Sequence, residues 1–452
     1  MGHLLMGMVT MDRRAKIPNI NRVKQVIRAF FPDHDCDERL LLRLARFTTE
    51  HVREHAGAVW SPDVCRRLLQ PLLEPGPRPL INATGIMLHT NMGRAPLQAS
   101  VVQQALARVA GYTDLELDAA SAKRGHRDRH IAALARLLWP VEDATLVNNA
   151  AAAVCLALSA LARDRETVVS RGELIEIGGS FRLPDVMTQA GTHLREVGTT
   201  NKTRIADFEA AVGPRTGCLF KAHPSNYRIE GFTHEVPLHE LTALGRRTGV
   251  PVVYDLGGGY SEHLALPAAD EPSIEAALAA EPDLLIFSCD KLLGGVQAGL
   301  VLGRADLIAQ LRRQTLMRML RTDKLTLSIV CHQLAHVQRG LATPTSRLAN
   351  QDPAQLERRA AALNSLLGPA WRLVPDETYI GGGSLPAQAR PGTALAYDGA
   401  DKQKLADCLR RGEPGLLASI RGGLLRLNLA TVFPEQDETV AKLVIAAQSK
   451  VV

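Results

Sequence analysis

Nothing in these 452 residues offers a ready-made disulfide or metal framework. The seven cysteines (Cys36, Cys65, Cys155, Cys218, Cys289, Cys331 and Cys408) are scattered, with no C-x-x-C pair and no histidine cluster at zinc spacing. No structural metal is expected, and unpaired thiols fit a reducing cytoplasm. No apolar run approaches the roughly 20 residues that a membrane helix needs. The first ten residues lack the charged start and cleavage site of a signal peptide, and Met1, Met6, Met8 and Met11 are all candidate starts. What is there is 46% hydrophobic and 22% charged, the composition of a soluble globular protein. The length calls for two or three domains.

The formal charge is +6, and residues 1–80 hold 13 Lys and Arg against 9 Asp and Glu, a net +4. Within this stretch, from Ile17 to about Leu73, apolar residues recur at three-and-four spacing: Ile20, Val23, Val26 and Ile27, then Leu40 to Leu44, then Val64 and Leu68. That spacing predicts helices, punctuated by Pro62 and by Pro75-Gly76-Pro77. A solvated helical face explains the charge by default. A small basic helical domain is also where a nucleic acid can be held.

The chemistry concentrates further along. Leu284 to Phe287 reads as a buried strand that delivers Lys291 to its end, and Gly294-Gly295 follows before a second apolar run, Ala298 to Leu302. A lysine that condenses with an aldehyde must be partly desolvated and free of a fixed ion pair, so that its amine can be neutral. The bland alternative is a lysine snorkelling at a strand end. Upstream, the apolar strand Val252-Val253-Tyr254 ends in Asp255 and three glycines, the place where an open α/β sheet presents catalytic groups. A carboxylate there can keep a pyridine nitrogen protonated, as pyridoxal phosphate requires. A helix N-cap or a metal ligand is the competing role for Asp255.

Leu146 to Val154 reads as a strand turning through Asn148 and Asn149 into an alanine-rich helix. The unpaired amides at such a helix start, around Ala150 and Ala151, suit a phosphate; an ordinary Asn-capped helix is the alternative. The segment Leu80 to Leu97 is dense in Asn, Thr and Gly, suits a cavity lining, and has Arg94 as its one cation. Tyr112 to Glu116 and Lys123 to Arg127 flank a short loop.

Five stretches together resemble the bacterial selenocysteine synthases, the L-seryl-tRNA(Sec) selenium transferases. They are I-N-A-T-G-I-M-L-H-T-N-M-G-R-A-P-L (Ile81 to Leu97), Val169 to Met187, E-V-G-T-T-N (Glu196 to Asn201), H-P-S-N-Y-R-I-E-G-F-T (His223 to Thr233) and D-K-L-L-G-G-V-Q-A-G from Asp290. The resemblance runs from about Ile17 to about Thr431. It implies an α/β fold of type I, aspartate aminotransferase-like, in three parts. These are a helical tRNA-binding domain (1–75), a large domain for pyridoxal 5′-phosphate (76–335) and a small α+β C-terminal domain (336–452).

The resemblance also implies a ring-shaped homodecamer, a pentamer of dimers, acting on tRNA(Sec) charged with serine. By position, Lys291 would carry the cofactor and Asp255 would face its ring nitrogen. Arg94, Arg318 and Arg321 would form a cationic pocket for selenophosphate; guanidinium forks suit such an oxyanion, and Arg318 and Arg321 share a face if their segment is helical. The implied reaction eliminates water from seryl-tRNA(Sec) to give aminoacrylyl-tRNA and then adds selenium at the β-carbon. An acid must protonate the leaving hydroxyl, and His89, His223 or a phosphate-borne proton could serve.

Departures from the family pattern are Cys289 for glycine, Val296 for proline, Pro224 for threonine, and Asn428-Leu429-Ala430-Thr431 for D-L-R-T. One rival is a related lyase acting on a small phosphorylated amino compound without tRNA. The other is a catalytically silent tRNA-binding protein, which would tolerate loss of Lys291.

Overall fold

The computed structural model describes residues 18–55, 59–177, 181–266, 271–382 and 389–451. The candidate starts Met1 to Met11, and Gly383 to Pro386 of the C-terminal glycine-rich turn, lie outside them. The chain divides after Pro79 into two compact units.

The first unit is three helices: α1 (Ile20–Phe30), α2 (Glu38–Glu54) and α3 (Pro62–Leu73). Each begins on a polar side chain that accepts an otherwise unpaired amide: Asn19 from Arg22, Asp37 from Leu40 and Ser61 from Val64. Pro62, which punctuates the pattern, stands at the first helical position, where a missing N–H costs nothing. Val23, Ile27, Leu41, Leu44 and Leu69 bury against one another. Arg39, Arg43, Arg46 and Arg53 stand exposed on α2 at spacings that place them on one face, with the exposed Glu50 among them.

The second unit opens with β1 (Leu80–Ala83). Then come β2 (Asp143–Val147), β3 (Glu166–Ser170), β4 (His193–Val197), β5 (Thr216–Ala222), β6 (Val252–Gly257), β7 (Leu284–Ser288) and β8 (Gly299–Gly303). These seven form one sheet in the order β2-β8-β7-β6-β5-β3-β4, with β8 alone running against the others. No residue of β3, β5 or β7 reaches the surface, as expected of parallel strands covered on both faces. The apolar run Leu284 to Phe287 of β7 follows from that burial.

The second sheet joins β9 (Trp371–Thr378), β10 (Arg390–Tyr397), β11 (Gly415–Arg421) and β12 (Leu424–Asn428) to β1, in the order β1-β11-β12-β10-β9. Gly422 and Gly423, both at positive φ, close the β11–β12 hairpin. Two boundaries drawn from sequence change. Leu80–Ala83 pairs in parallel with Gly415–Ala418, so it belongs to the C-terminal sheet and not to the large one. The division at 335 falls inside the helix Lys324–Gln338, which packs on Ala99–Val109.

Candidate active site

Six of the seven large-sheet strands point their carboxyl ends the same way, and the candidate residues gather at those ends. Lys291 sits two residues beyond Cys289, in a turn pinned by Gly294 N–H to the Lys291 carbonyl (3.0 Å) and Leu292 N–H to the Gly258 carbonyl (3.0 Å). The lysine is 7% exposed. Among the described residues its Nζ has neither a hydrogen-bond nor an ion-pair partner. Burial lowers its pKa from the ordinary lysine value, against the Asp255 and Asp290 carboxylates that pull it upward. A buried, unpaired, easily deprotonated amine is a nucleophile toward carbonyl carbon.

Asp255 lies in β6, two residues before its end and beside β7, in register with Ile286 on one side and Ala222 on the other. Its carboxylate accepts the Gly257 N–H at 3.1 Å and has no ion pair among the described residues. The surrounding protein raises its pKa, with Lys291 the largest opposing influence, while the side chain keeps partial access to the crevice. One strand over, Lys221 and Glu173 form a buried pair (2.8 Å), and Glu173 also accepts the Ala222 N–H at 3.1 Å. That bond fixes the end of β5, where the His223 N–H reaches the Asp255 carbonyl (2.9 Å).

The helix α4 (Ala150–Leu161) starts at the end of β2. Asn149 caps it by accepting the Ala152 N–H at 2.8 Å, which leaves the amides of Ala150 and Ala151 without intrahelical partners. Gly299 lies so close that a Cβ there would meet the Asn149 carbonyl at 2.3 Å, so β8 and the helix start are locked together. The Asn148 N–H bonds to the Leu320 carbonyl at 2.9 Å, bringing the arginine segment to this turn. Amine, carboxyl and helix start thus suit a ligand bearing an aldehyde, a basic ring nitrogen and a phosphate.

The three arginines occupy different settings. Arg94 pairs with Asp290 at 2.6 Å, beside Lys291, and holds a backbone φ of 61°, a conformation that costs about 1 kcal/mol for a side-chain-bearing residue. Arg321 pairs with Glu116 at 3.1 Å. Arg318 is exposed and has no ion pair among the described residues. Arg318 lies within the helix α5 (Thr315–Leu320), and Arg321 is its C-terminal cap, with its N–H bonded to the Met317 carbonyl at 2.9 Å before the backbone turns to an extended course. Glu116 was not singled out from sequence, yet it also meets Arg124 (2.7 Å) and Arg127 (2.5 Å), and these cations hold its carboxyl below the usual range.

A cavity of about 600 Å³ adjoins these groups through His223, with Glu173, Tyr227 and Glu271 in its wall. Glu271 is buried, and its Oε2 lies 3.6 Å from His223 Nε2. His89 lies half-buried with a buried Nδ1 that has no partner among the described residues. Those residues contain no cluster of three His, Cys, Asp or Glu arranged for a metal. None of their helices is long and apolar enough to cross a membrane.

A profile of the SelA family, L-seryl-tRNA selenium transferase, matches residues 80–433 of the chain. The chain belongs to the L-seryl-tRNA selenium transferase family. A relative named L-seryl-tRNA(Sec) selenium transferase from Moorella thermoacetica is 46% identical over 383 residues, 82% of this chain and 82% of that protein. One of the same name from Aquifex aeolicus (strain VF5) is 37% identical over 443 residues, 94% of this chain and 97% of that one. Among solved structures, D-glucosaminate-6-phosphate ammonia-lyase superposes with a TM-score of 0.60 at 18% identity, over 85% of this chain and 98% of that one. That likeness is one of fold: the mixed sheet is that of a type I α/β enzyme.

Within the L-seryl-tRNA selenium transferase family, the departure at 428 has a structural reason in this chain. Asn428 Nδ2 donates to Asp376 at 2.9 Å, and the same buried carboxylate receives Arg421 and Arg426 at 3.0 Å each. An aspartate at 428 would set two buried carboxylates against each other. Cys289 is fully buried, and burial pushes its thiol far above the ordinary range, so it is an inert filler beside Lys291. Nothing in the structure explains Val296.

Proposed function

We propose that this protein converts L-seryl-tRNA(Sec) to L-selenocysteinyl-tRNA(Sec) with pyridoxal 5′-phosphate as cofactor and selenophosphate as selenium donor. We infer further that it works in the cytoplasm as a ring-shaped homodecamer and takes the tRNA through residues 1–75. The observation that carries the catalytic reading is Lys291: a buried amine that has no partner among the described residues, one strand away from a carboxylate that has no ion pair among them.

The residues present fit the cofactor. Lys291 would hold its aldehyde carbon, Asp255 its ring nitrogen, and the Ala150 and Ala151 amides, with Asn148 and Asn149 shaping the turn, its phosphate. Bound there, pyridoxal phosphate supplies an electron sink for the pair left on the serine α-carbon. Lys291, once its amine is free, would take the α-proton and later return it. His223 or His89 protonates the departing β-hydroxyl, so water leaves and an aminoacrylyl ester remains on the tRNA. Selenium adds at the β-carbon, and hydrolysis of its bond to phosphorus releases phosphate. Arg318, which has no ion pair among the described residues, meets the donor anion first; Arg94 and Arg321 join it by sharing charge with Asp290 and Glu116.

The test has two arms. The cofactor-loaded protein is titrated with tRNA(Sec) and with tRNA(Ser) across a salt series, and the Lys291→Ala variant is assayed for turnover and visible absorption. Preference for tRNA(Sec) that persists as salt rises, with loss of both signals in the variant, is the expected result. Turnover surviving in Lys291→Ala refutes the catalytic assignment. Weak binding without preference moves the reading to a lyase of small phosphorylated amino compounds, which family membership supports less.

A further inference from the structure

The cavity beside His223 is larger than a serine side chain needs. At about 600 Å³ it has the size of a site for a nucleoside or larger group. Its wall is polarised. Glu173 and Glu271 are buried, while Arg228 is exposed, Lys202 is half-buried and Glu235 is exposed. The Glu173 carboxylate is satisfied by Lys221 and the Ala222 amide. Glu271 is not: its side chain is 2% exposed, yet Oε1 has no hydrogen-bond partner among the described residues. A buried carboxylate oxygen without a donor is costly, so a ligand that supplies an O–H or N–H belongs there, and an anion does not. Glu271 is also near enough to Lys291 for its charge to raise that amine's pKa.

Phe232 supplies the second observation. Its neighbour Thr233 lines the cavity, its carbonyl accepts from Asn201, and its ring is 87% exposed with Lys202 Nζ 5.7 Å from the centroid. An aromatic face left in water and flanked by a cation is a stacking platform for a nucleobase.

We propose that this cavity binds the 3′-terminal nucleoside of the aminoacyl-tRNA, its ribose hydroxyl donating to Glu271 and its base stacking on Phe232. The buried carboxylates keep phosphate out of the inner wall, and Lys202 and Arg228 meet the phosphodiester that leads away. Placed so, the esterified serine points along His223 toward Lys291. The inference rests on the function proposed above and adds the subsite that presents the ester.

The probe is a fluorescently labelled cytidyl-cytidyl-adenosine trinucleotide whose terminal adenosine carries serine through a non-hydrolysable 3′-amide. It is titrated by anisotropy onto the cofactor-loaded protein. Phe232→Ala, a substitution at an exposed position, should weaken binding roughly 5- to 150-fold, the effect of losing one base–aromatic stack. A 2′-deoxy terminal adenosine should bind the wild type more weakly, and Glu271→Ala should no longer tell the two probes apart. Unchanged affinity in both variants, in a protein that still converts seryl-tRNA(Sec), overturns the subsite and leaves the function standing. A wild type that neither binds the probe nor converts seryl-tRNA(Sec) overturns the function and this inference with it.

Discussion

Lys221→Met isolates the charge that holds the floor of the site. Methionine fills the lysine stem with little change of volume, so the substitution opens no large cavity; what disappears is the ammonium 2.8 Å from Glu173. Both side chains are under 10% exposed, and Glu173 would be left with the Ala222 N–H alone. An uncompensated buried charge of this kind costs about 3–5 kcal/mol. The cost must also depend on pH in a definite sense. Burial already raises the Glu173 pKa above its ordinary 4.5, and Lys221 is the largest influence pulling it back. Removing Lys221 raises it further, so the folded variant binds a proton that the unfolded chain does not, and stability returns as pH falls through that raised value. Urea midpoints of the cofactor-free protein, at matched concentration, should differ widely at pH 8 and draw together as pH falls toward the ordinary glutamate value of 4.5. The double variant Lys221→Met/Glu173→Gln should recover most of the loss at pH 8. A penalty below about 1 kcal/mol at pH 8, or one that does not shrink as pH falls, would show that water already reaches Glu173 and would refute the reasoning.

Three further expectations follow from single contacts. Capture of pyridoxal phosphate by the cofactor-free protein needs the neutral Lys291 amine. Its rate should rise with pH and level off below the ordinary lysine value of 10.5, and Arg94→Ala should move the plateau upward, because it removes a nearby cation and frees Asp290. A rate still climbing beyond pH 10.5 in stopped-flow absorbance would contradict this. Arg318→Ala should raise the KM for selenophosphate roughly 10- to 160-fold, the loss of one charge-assisted contact of about 1.5–3 kcal/mol, while the Kd for seryl-tRNA(Sec) holds; equal losses in both would point to a structural role. Asn428→Asp should destabilise the protein by about 1–3 kcal/mol at neutral pH, because Asp376 loses a donor and gains a facing carboxylate. A loss at neutral pH that the double variant Asn428→Asp/Asp376→Asn does not relieve would argue against charge repulsion as the cause.

What the sequence shows and what it hides separate along a physical line. Lys291 and Asp255 stood out because one follows an apolar strand and the other lies near the end of one, and those strands, β7 and β6, are neighbours both in chain order and in the sheet. A strand, a turn and a glycine pair are local facts, and they mark a candidate nucleophile. Leu80–Ala83 was misplaced because its partner, Gly415–Ala418, lies more than 330 residues away, and parallel pairing leaves no local mark. The settings of the arginines were hidden for a related reason: Arg321 caps α5 and meets Glu116, which lies about 200 residues earlier in the chain. Burial of acids is the most non-local property of all. Glu173, Glu271 and Glu116 look like any surface glutamates, and only packing shows that one is paired with Lys221, one has an unpaired oxygen and one gathers three arginines. The carbon chemistry of the site therefore rests on groups that a motif can carry. The cavity beside His223 is walled by carboxylates whose burial and partners are set by the completed fold, and it is there, not at Lys291, that the sequence alone falls silent.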